Sequence, residues 1–406
     1  MDADTVRALS TPAGRRLLDK AKAATDPTGD FPHDSLATGQ SLRRDYAATL
    51  VAAAMTVASM RQRGMAKLGA DAQALLLDRA GLEQSTRASV AAHRAARLAA
   101  ADLGDGRRPQ TVVDLGCGIG TDLVAMARAG LRVTGVDRDP ARVAMARANL
   151  AALGVTGQVL EADVSTLDRA GFDAAFADPA RRDGSGRRFD LAAHSPPWSF
   201  VEQLLTERPA VAVVKAAPGI PHTLVPAGVE AQWVSDGGDL VEACLWGRGL
   251  ARTSRRATLL PSEATCTEAD LPAAAVGSGT MGQWLHEPDD AVIRAGLVQA
   301  VAAKVDGWLL DPHLAYVSTD SPVRTPLARS YRVLEEVPHR EKPLRQALRS
   351  RGIGALTIKK RGVDVVPEQL RRRLAAGGAL NGDAAATLVL TRVQGHGRAY
   401  LVEPAQ

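Results

Sequence analysis

The chain has 406 residues, 46% of them hydrophobic and 23% charged, with a formal net charge of +5. That length calls for two or three domains, built around cores of Leu, Val and Ala because aromatics make up only 3%. No apolar run approaches the roughly 20 residues that span a bilayer, and Met1-Asp2-Ala3-Asp4 lacks the basic start of a secretory signal. The three cysteines, Cys117, Cys244 and Cys266, have an odd count and no CxxC spacing. They fit reduced thiols in a cytoplasmic protein and speak against a disulfide frame or a zinc site, so no metal is expected, and with no spanning run no membrane partner either.

The first hundred residues read as helical. Ala, Leu, Met and Arg fill Ser41 to Ala100, with breaks near Gly64, Gly69 and Gly81, and Asp26–Pro32 is a loop. Gly104–Pro109 is a turn-prone hinge. From Thr111, strands alternate with helices, the mark of a parallel sheet covered on both faces. Thr111–Leu115 is a strand, Asp122–Ala129 a helix, Leu131–Val136 a strand and Pro140–Leu153 a helix. Further strands are expected at Gln158–Glu161, Asp173–Ala177 and Ala210–Lys215. Val229–Ser235 and Asp239–Trp246 alternate in character and flank Asp236-Gly237-Gly238, a hairpin signal. The fold class expected is therefore α/β, a doubly wound and mostly parallel sheet that ends in an antiparallel hairpin; a dehydrogenase sheet ends in another parallel unit.

Pro261–Asp290 is rich in Pro, Gly, Ser and acids and reads as a connector, followed by a helix at Ala291–Val305. The tail reads as a small α/β unit. Its strands are Tyr331–Val337, Gly354–Lys360, Ala385–Val393 and Gly397–Val402, and its helices Lys342–Arg351 and Pro367–Leu374 are both basic. The expected division is a helical region over 1–105, an α/β domain over 106–260, a connector with a helix and a short strand over 261–325, and the small α/β domain over 326–406. Arg340–Arg373 carries eleven Lys and Arg against three acids, a net +8 that leaves the rest of the chain at −3. Such asymmetry fits either a solvated helix face or an anionic partner, nucleic acid before membrane.

Asp114-Leu115-Gly116-Cys117-Gly118-Ile119-Gly120 follows the first strand. The three glycines permit a sharp turn and close approach of backbone to a ligand, and Cys117 is a small filler between them. Glycine loops of this kind also serve nicotinamide and flavin nucleotides. Asp114 separates the cases: a carboxylate there repels a pyrophosphate but suits the ammonium of S-adenosylmethionine. Asp137 ends the second strand, where an acid accepts from ribose hydroxyls, and Asp163 ends the third, where it accepts from an adenine amine. Arg138 and Val164 stand beside these acids and complete the expected cofactor-binding set. Any one Asp alone is more economically a cap or turn residue; the ordered series at successive strand ends points to a ligand crevice.

This set resembles the class I S-adenosylmethionine-dependent methyltransferases over about Thr111 to Leu260. The resemblance implies that the end of the fourth strand meets the methyl acceptor. Asp178-Pro179-Ala180-Arg181-Arg182 stands there. Enzymes that methylate exocyclic base amines carry Asn/Asp/Ser-Pro-Pro-aromatic at that point, and only Asp178 and Pro179 match. Ser195-Pro196-Pro197-Trp198 is a literal match in another place, read as a helix start with Ser195 as N-cap and Pro196 at the first helical position. Asp183–Arg188 is a basic, glycine-containing loop suited to an RNA backbone. Neither Asp178–Arg182 nor Lys215–Ile220 offers the cysteine that attack on a pyrimidine ring requires. Lys215 ends the fifth strand, placed to bind phosphate or to neutralise Asp178. The catalytic candidates are thus Asp178, Pro179, Arg181 and Lys215.

Together with Lys215-Ala216-Ala217-Pro218-Gly219-Ile220 and the basic C-terminal unit, these residues resemble a narrower group, bacterial methyltransferases carrying a C-terminal THUMP-like domain. That resemblance implies an RNA partner, tRNA or rRNA. Two other readings stay open, a small-molecule or protein methyltransferase whose C-terminal unit binds a partner, and a donor-binding protein without catalysis.

Overall fold

A computed structural model describes residues 1–24, 35–181, 194–195, 197–207, 211–376, 378 and 380–405. The expected loop at Asp26–Pro32, the Asp183–Arg188 loop, Arg182 and Pro196 lie outside the described residues. The chain divides into two compact units, Met1–Ala231 with Glu242–Ser254, and Gln232–Val241 with Arg255–Gln406.

In the first unit, α1 (Ala3–Ser10), α2 (Pro12–Lys22), α3 (Ser35–Leu42), α4 (Ala48–Leu68), α5 (Arg79–Gln84) and α6 (Ala88–Ala99) precede the sheet. Local chemistry starts several of them. Asp2 accepts from the Thr5 N–H at the head of α1, and Thr11 accepts from Gly14 N–H with Pro12 at the first position of α2. Of the expected breaks, Gly69 does end α4, with φ +61. Gly64 and Gly81 do not break anything. Gly64 lies inside α4, where a Cβ would press on Ala72 and Leu77 at 3.3 Å, so packing explains it and not chain punctuation.

The sheet follows as β1 (Thr111–Leu115), α7 (Thr121–Arg128), β2 (Arg132–Asp137), α8 (Pro140–Ala152), β3 (Gly157–Glu161), β4 (Ala174–Ala177), two-residue strands β5 (Ala180–Arg181) and β6 (His194–Ser195), α9 (Trp198–Thr206) and β7 (Ala212–Ala216). β8 (Glu230–Asp236) and β9 (Asp239–Trp246) make the expected hairpin, with φ +62 and +88 at Gly237 and Gly238. β1 lies between β2 and β4; β3 flanks β2 and β7 flanks β4, all parallel, and β9 runs antiparallel to β7. β1, β4 and β7 at the centre are short, apolar and largely buried, as strands covered on both faces must be, whereas the edge strand β3 is mostly exposed.

The early helices are built into this unit. Ile119 of the glycine loop and Met145 of α8 belong to the same apolar cluster as Val6, Leu17, Val57 and Leu77. Asn149 of α8, fully buried, accepts from the Leu76 N–H at 2.6 Å and donates to Leu76 O at 3.2 Å and Ile119 O at 2.9 Å. Asn149→Ala would strand three buried backbone groups. It is expected to cost about 2–4 kcal/mol, read as a lower thermal midpoint; an unchanged midpoint would remove Asn149 as the clamp.

The second unit holds β10 (Arg255–Leu260) and β11 (Ala264–Thr267), an antiparallel pair, then β12 (Trp284–Pro288), α10 (Asp290–Arg294), α11 (Val298–Lys304), β13 (Trp308–Leu309), β14 (Val317–Thr319), β15 (Ala328–Val337), α12 (Glu341–Ser350), β16 (Ile353–Arg361), α13 (Pro367–Ala376), β17 (Ala384–Val393) and β18 (His396–Pro404). Seven strands run in the order β13-β14-β12-β15-β18-β17-β16. The stretch expected as a connector therefore carries β11 and β12, and the expected single helix is two, divided at Gly296 with φ +69. α12 and α13 cover one face through Leu344, Leu348, Leu370 and Leu374, each pair four residues apart.

Candidate functional site

The glycine loop is tied to its neighbour strand before it reaches any ligand. Gly116 and Cys117 N–H both donate to Val136 O, at 2.8 and 3.0 Å, and Gly120 N–H closes the turn on Cys117 O. All three glycines have positive φ, +96, +55 and +83. Their surroundings differ. A Cβ on Gly120 would meet Ala146 of α8 at 3.2 Å, whereas a Cβ on Gly116 or Gly118 would meet no described atom within 4 Å beyond its chain neighbours. The first two thus face open space, and the third admits a helix. Cys117 is buried with its sulfur against Gly135, and burial pushes its thiol far up, so it stays protonated.

Asp114 is 1% exposed, and neither carboxylate oxygen has a hydrogen-bond partner among the described residues. Burial drives its carboxyl well above the usual carboxylate range, Asp122, Asp178 and Asp137 push the same way, and Arg94 opposes them. An orphaned buried acid is costly and points to a missing cation. Asp137 is half-buried and braced, Oδ2 accepting from Gly118 N–H and Oδ1 from Asp139 N–H, each at 3.0 Å. A carboxylate retains two further acceptor positions in that state. Asp163 is exposed, and its Oδ1 accepts from the Ser165 hydroxyl and N–H, which hold it below its ordinary value. Arg138 is exposed and Val164 half-buried beside them.

Asp178 and Lys215 meet as an ion pair of 2.5 Å, both partly buried. Burial works to lower the Lys215 ammonium, but Asp178, Asp122 and Glu242 outweigh it and its pKa is raised. Pro179 is half-buried. Arg181 lies in β5, whose partner is β6, with Ala180 opposite Ser195 and Arg181 opposite His194. The Ser195 expectation changes here. Ser195 is a strand residue and not an N-cap; α9 starts at Trp198 after Pro197, with no side-chain cap. The Ser-Pro-Pro-Trp run therefore begins on the backbone that pairs with the Asp178 motif.

Beneath these residues lies a buried charge network with no local sequence signal. Arg94 of α6 pairs with both Asp122, in the first turn of α7, and Glu242 of β9, and its guanidinium stacks 4.6 Å from the Phe176 ring centroid. The partners come from positions 28 and 148 residues away, so only the fold brings them together. Among the described residues, no group of three or more His, Cys, Asp or Glu is placed to hold a metal, and no helix is long and apolar enough to cross a membrane.

A methyltransferase domain family model matches residues 112–180, from β1 through the Asp178-Pro179 turn. A "THUMP domain-like" model matches residues 328–404, and a domain of unknown function residues 2–64. An uncharacterized S-adenosylmethionine-dependent methyltransferase of Mycobacterium tuberculosis, found in two strains, is 39% identical over 363 residues, which cover 86% of this chain and 95% of the relative. The chain belongs to the S-adenosylmethionine-dependent methyltransferases. A crystal structure from Porphyromonas gingivalis described as that of a methyltransferase matches it with a TM-score of 0.76 at 19% identity over the whole of both chains, which shows the shared fold. The methyltransferase takes S-adenosylmethionine as its donor, and the orphaned Asp114 carboxylate beside the open faces of Gly116 and Gly118 fits that cationic ligand.

Proposed function

We propose that this methyltransferase modifies a nucleotide of tRNA or rRNA, with the donor on the glycine loop and the acceptor at Asp178. The observation that carries the RNA reading is the C-terminal unit. There the THUMP domain-like match coincides with the basic helices. Arg345 and Arg373 are spent on Glu341, Arg351 on Glu335, and Lys359 and Arg361 on Glu287. Arg340, Lys342, Lys360, Arg371 and Arg372 are exposed and have no ion-pair partner among the described residues. With the leucines of α12 and α13 turned inward, a surplus of unpaired cations stands on the surface, which suits phosphates.

Bound S-adenosylmethionine supplies a methyl group already activated by its sulfonium. What remains for the protein is positioning and proton handling. Asp114 receives the donor's ammonium, Asp137 the ribose hydroxyls and Asp163 the adenine amine. Asp178 orients the acceptor and takes its proton as the new bond forms, and Lys215 fixes the Asp178 carboxylate. Pro179 and Arg181 border the acceptor, and Arg138 and Val164 the nucleoside.

Mass spectrometry of tRNA and rRNA nucleosides from cells with and without the gene tests this directly. One methylated nucleoside is expected to vanish in the deletion strain and return with the gene; identical nucleoside profiles would refute an RNA substrate. Arg371→Glu with Arg372→Glu is expected to weaken RNA binding about tenfold or more and to flatten its salt dependence by about one unit of slope per lost phosphate contact. Turnover of RNA that is indifferent to both charges would detach the C-terminal unit from substrate binding.

A further inference from the structure

Gly81 sits where three parts of the first unit meet. It is buried within α5, and a Cβ added to it would stand 2.8 Å from Ile119 Cγ2, 2.9 Å from Asp78 Oδ1 and 3.2 Å from Arg142 Nη1. Ile119 is the residue between the last two glycines of the loop. Arg142 lies in the first turn of α8, whose cap residue Asp139 donates its N–H to Asp137. Asp78 Oδ1 serves both neighbours, accepting from Gly81 N–H at 2.7 Å as the cap of α5 and from Arg142 Nη1 at 2.9 Å. The rest of the segment is tied to the same surface. Asn149 joins the Leu76 backbone to Ile119 O, and the Thr86 hydroxyl donates to Asp122 Oδ2, 3.4 Å away in the first turn of α7. Lys67 Nζ of α4 holds the far end of α5, donating to Leu82 O and Glu83 O at 2.8 Å each. Residues 76–86 thus touch the glycine loop and the first turns of α7 and α8.

We propose that the α5 segment is a positioning element of the donor site, with Gly81 and Asp78 as its positioning residues. Gly81 sets the glycine loop through Ile119, and Asp78 sets the first turn of α8 through Arg142. This rests on the reading that the donor lies on Gly116–Gly120. No side chain of the segment has to reach the ligand. A loop with glycines at three positive-φ positions has many backbone shapes open to it. Packing Ile119 against a site that admits no Cβ selects one of them during folding, so the donor does not have to order the loop when it binds. Coupling of this kind is reciprocal, and the bound donor in turn stabilises the docked segment.

The test is calorimetric titration with S-adenosylmethionine, beside amide hydrogen exchange, on the full chain and its variants. G81A is expected to weaken donor binding about 5- to 20-fold, the ordinary range of coupling between two sites. D78N keeps the cap, since Asn also accepts from the Gly81 N–H, but loses the charge opposite Arg142, and it falls between G81A and the parent. In G81A/I119A the lost Cγ2 makes room for the new methyl, so the combined loss is expected to be about threefold or more below the product of the single losses. Saturating donor is expected to slow exchange at residues 76–86 in the parent and to do so less in G81A. L17A, on α2 in the same apolar cluster, should lower the thermal midpoint yet leave donor affinity within about twofold. That arm separates positioning from a general loss of stability. Parent-like affinity in both G81A and D78N would overturn the inference. So would a loss in L17A as large as in G81A, or protection by the donor confined to residues 116–120. If G81A does not fold, D78N and the exchange measurement decide. Parent-like binding by D114N would instead overturn the placing of the donor on the glycine loop.

Discussion

Replacing Asp114 with asparagine is expected to make the protein more stable and a poorer binder of its donor. The sign follows from linkage. The unfolded chain releases the proton near the ordinary value of 3.8, but the buried group in the folded chain holds it to much higher pH. Stability is therefore lost as pH rises from about 3.8 through the folded value, and the loss is complete above it. D114N removes that loss, so the two proteins differ least in acid and most at pH 8. There a gain in stability is expected, its sign fixed by the raised value of the buried carboxyl in the folded chain. Donor binding moves the opposite way. A charge-assisted hydrogen bond contributes about 1.5–3 kcal/mol, so D114N should weaken S-adenosylmethionine about 10- to 100-fold. Thermal unfolding at pH 5 and pH 8, beside calorimetric titration, reads both effects. A destabilised D114N would mean that the acid has a partner in the folded protein.

Asp178→Asn carries the second large effect, on turnover and not on donor affinity. If Asp178 takes the acceptor's proton, its loss should lower kcat about 10²- to 10⁴-fold. Lys215 would also lose the counter-ion that keeps its ammonium charged, and the pair would cease to fix the acceptor side. S-adenosylmethionine should bind D178N no less tightly than the parent, because Asp178 adjoins the acceptor and its charge opposes that of Asp114. Single-turnover transfer to the RNA identified from the deletion strain measures the first quantity and donor titration the second. Retention of full turnover by D178N would exclude it as proton acceptor and leave a purely steric role for the Asp178-Pro179 turn.

The parallel core was legible because its signals are local. Strand β1 over Thr111–Leu115 and strand β9 over Asp239–Trp246 stand where apolar runs and turn residues put them. The same holds for the turn of the glycine loop, since three glycines with positive φ need no distant partner to be recognised. Gly64 misled because a glycine inside a helix pattern is a break or a packing contact, and only the neighbouring Ala72 and Leu77 decide which. The strands β11 and β12 were hidden in a polar, proline-rich stretch whose pairing comes from tertiary neighbours. Arg94, Glu242 and Asn149 lay beyond reach for a different reason. Each looks like an ordinary helix or strand residue until residues far along the chain close around it. Ser195 combines both problems, since its motif was readable but the β5–β6 pairing that carries it back to Asp178 was not.

The Asn149 clamp has an evolutionary side. The methyltransferase domain match begins at residue 112, and a sheet inherited from there alone would carry a buried amide with nothing to hold. Asn149 needs the backbone at residue 76, whichever side chain stands there, and Arg94 needs Glu242. The helical region and the sheet are thus one heritable unit, and recombination that shuffles catalytic cores between relatives must carry both halves together.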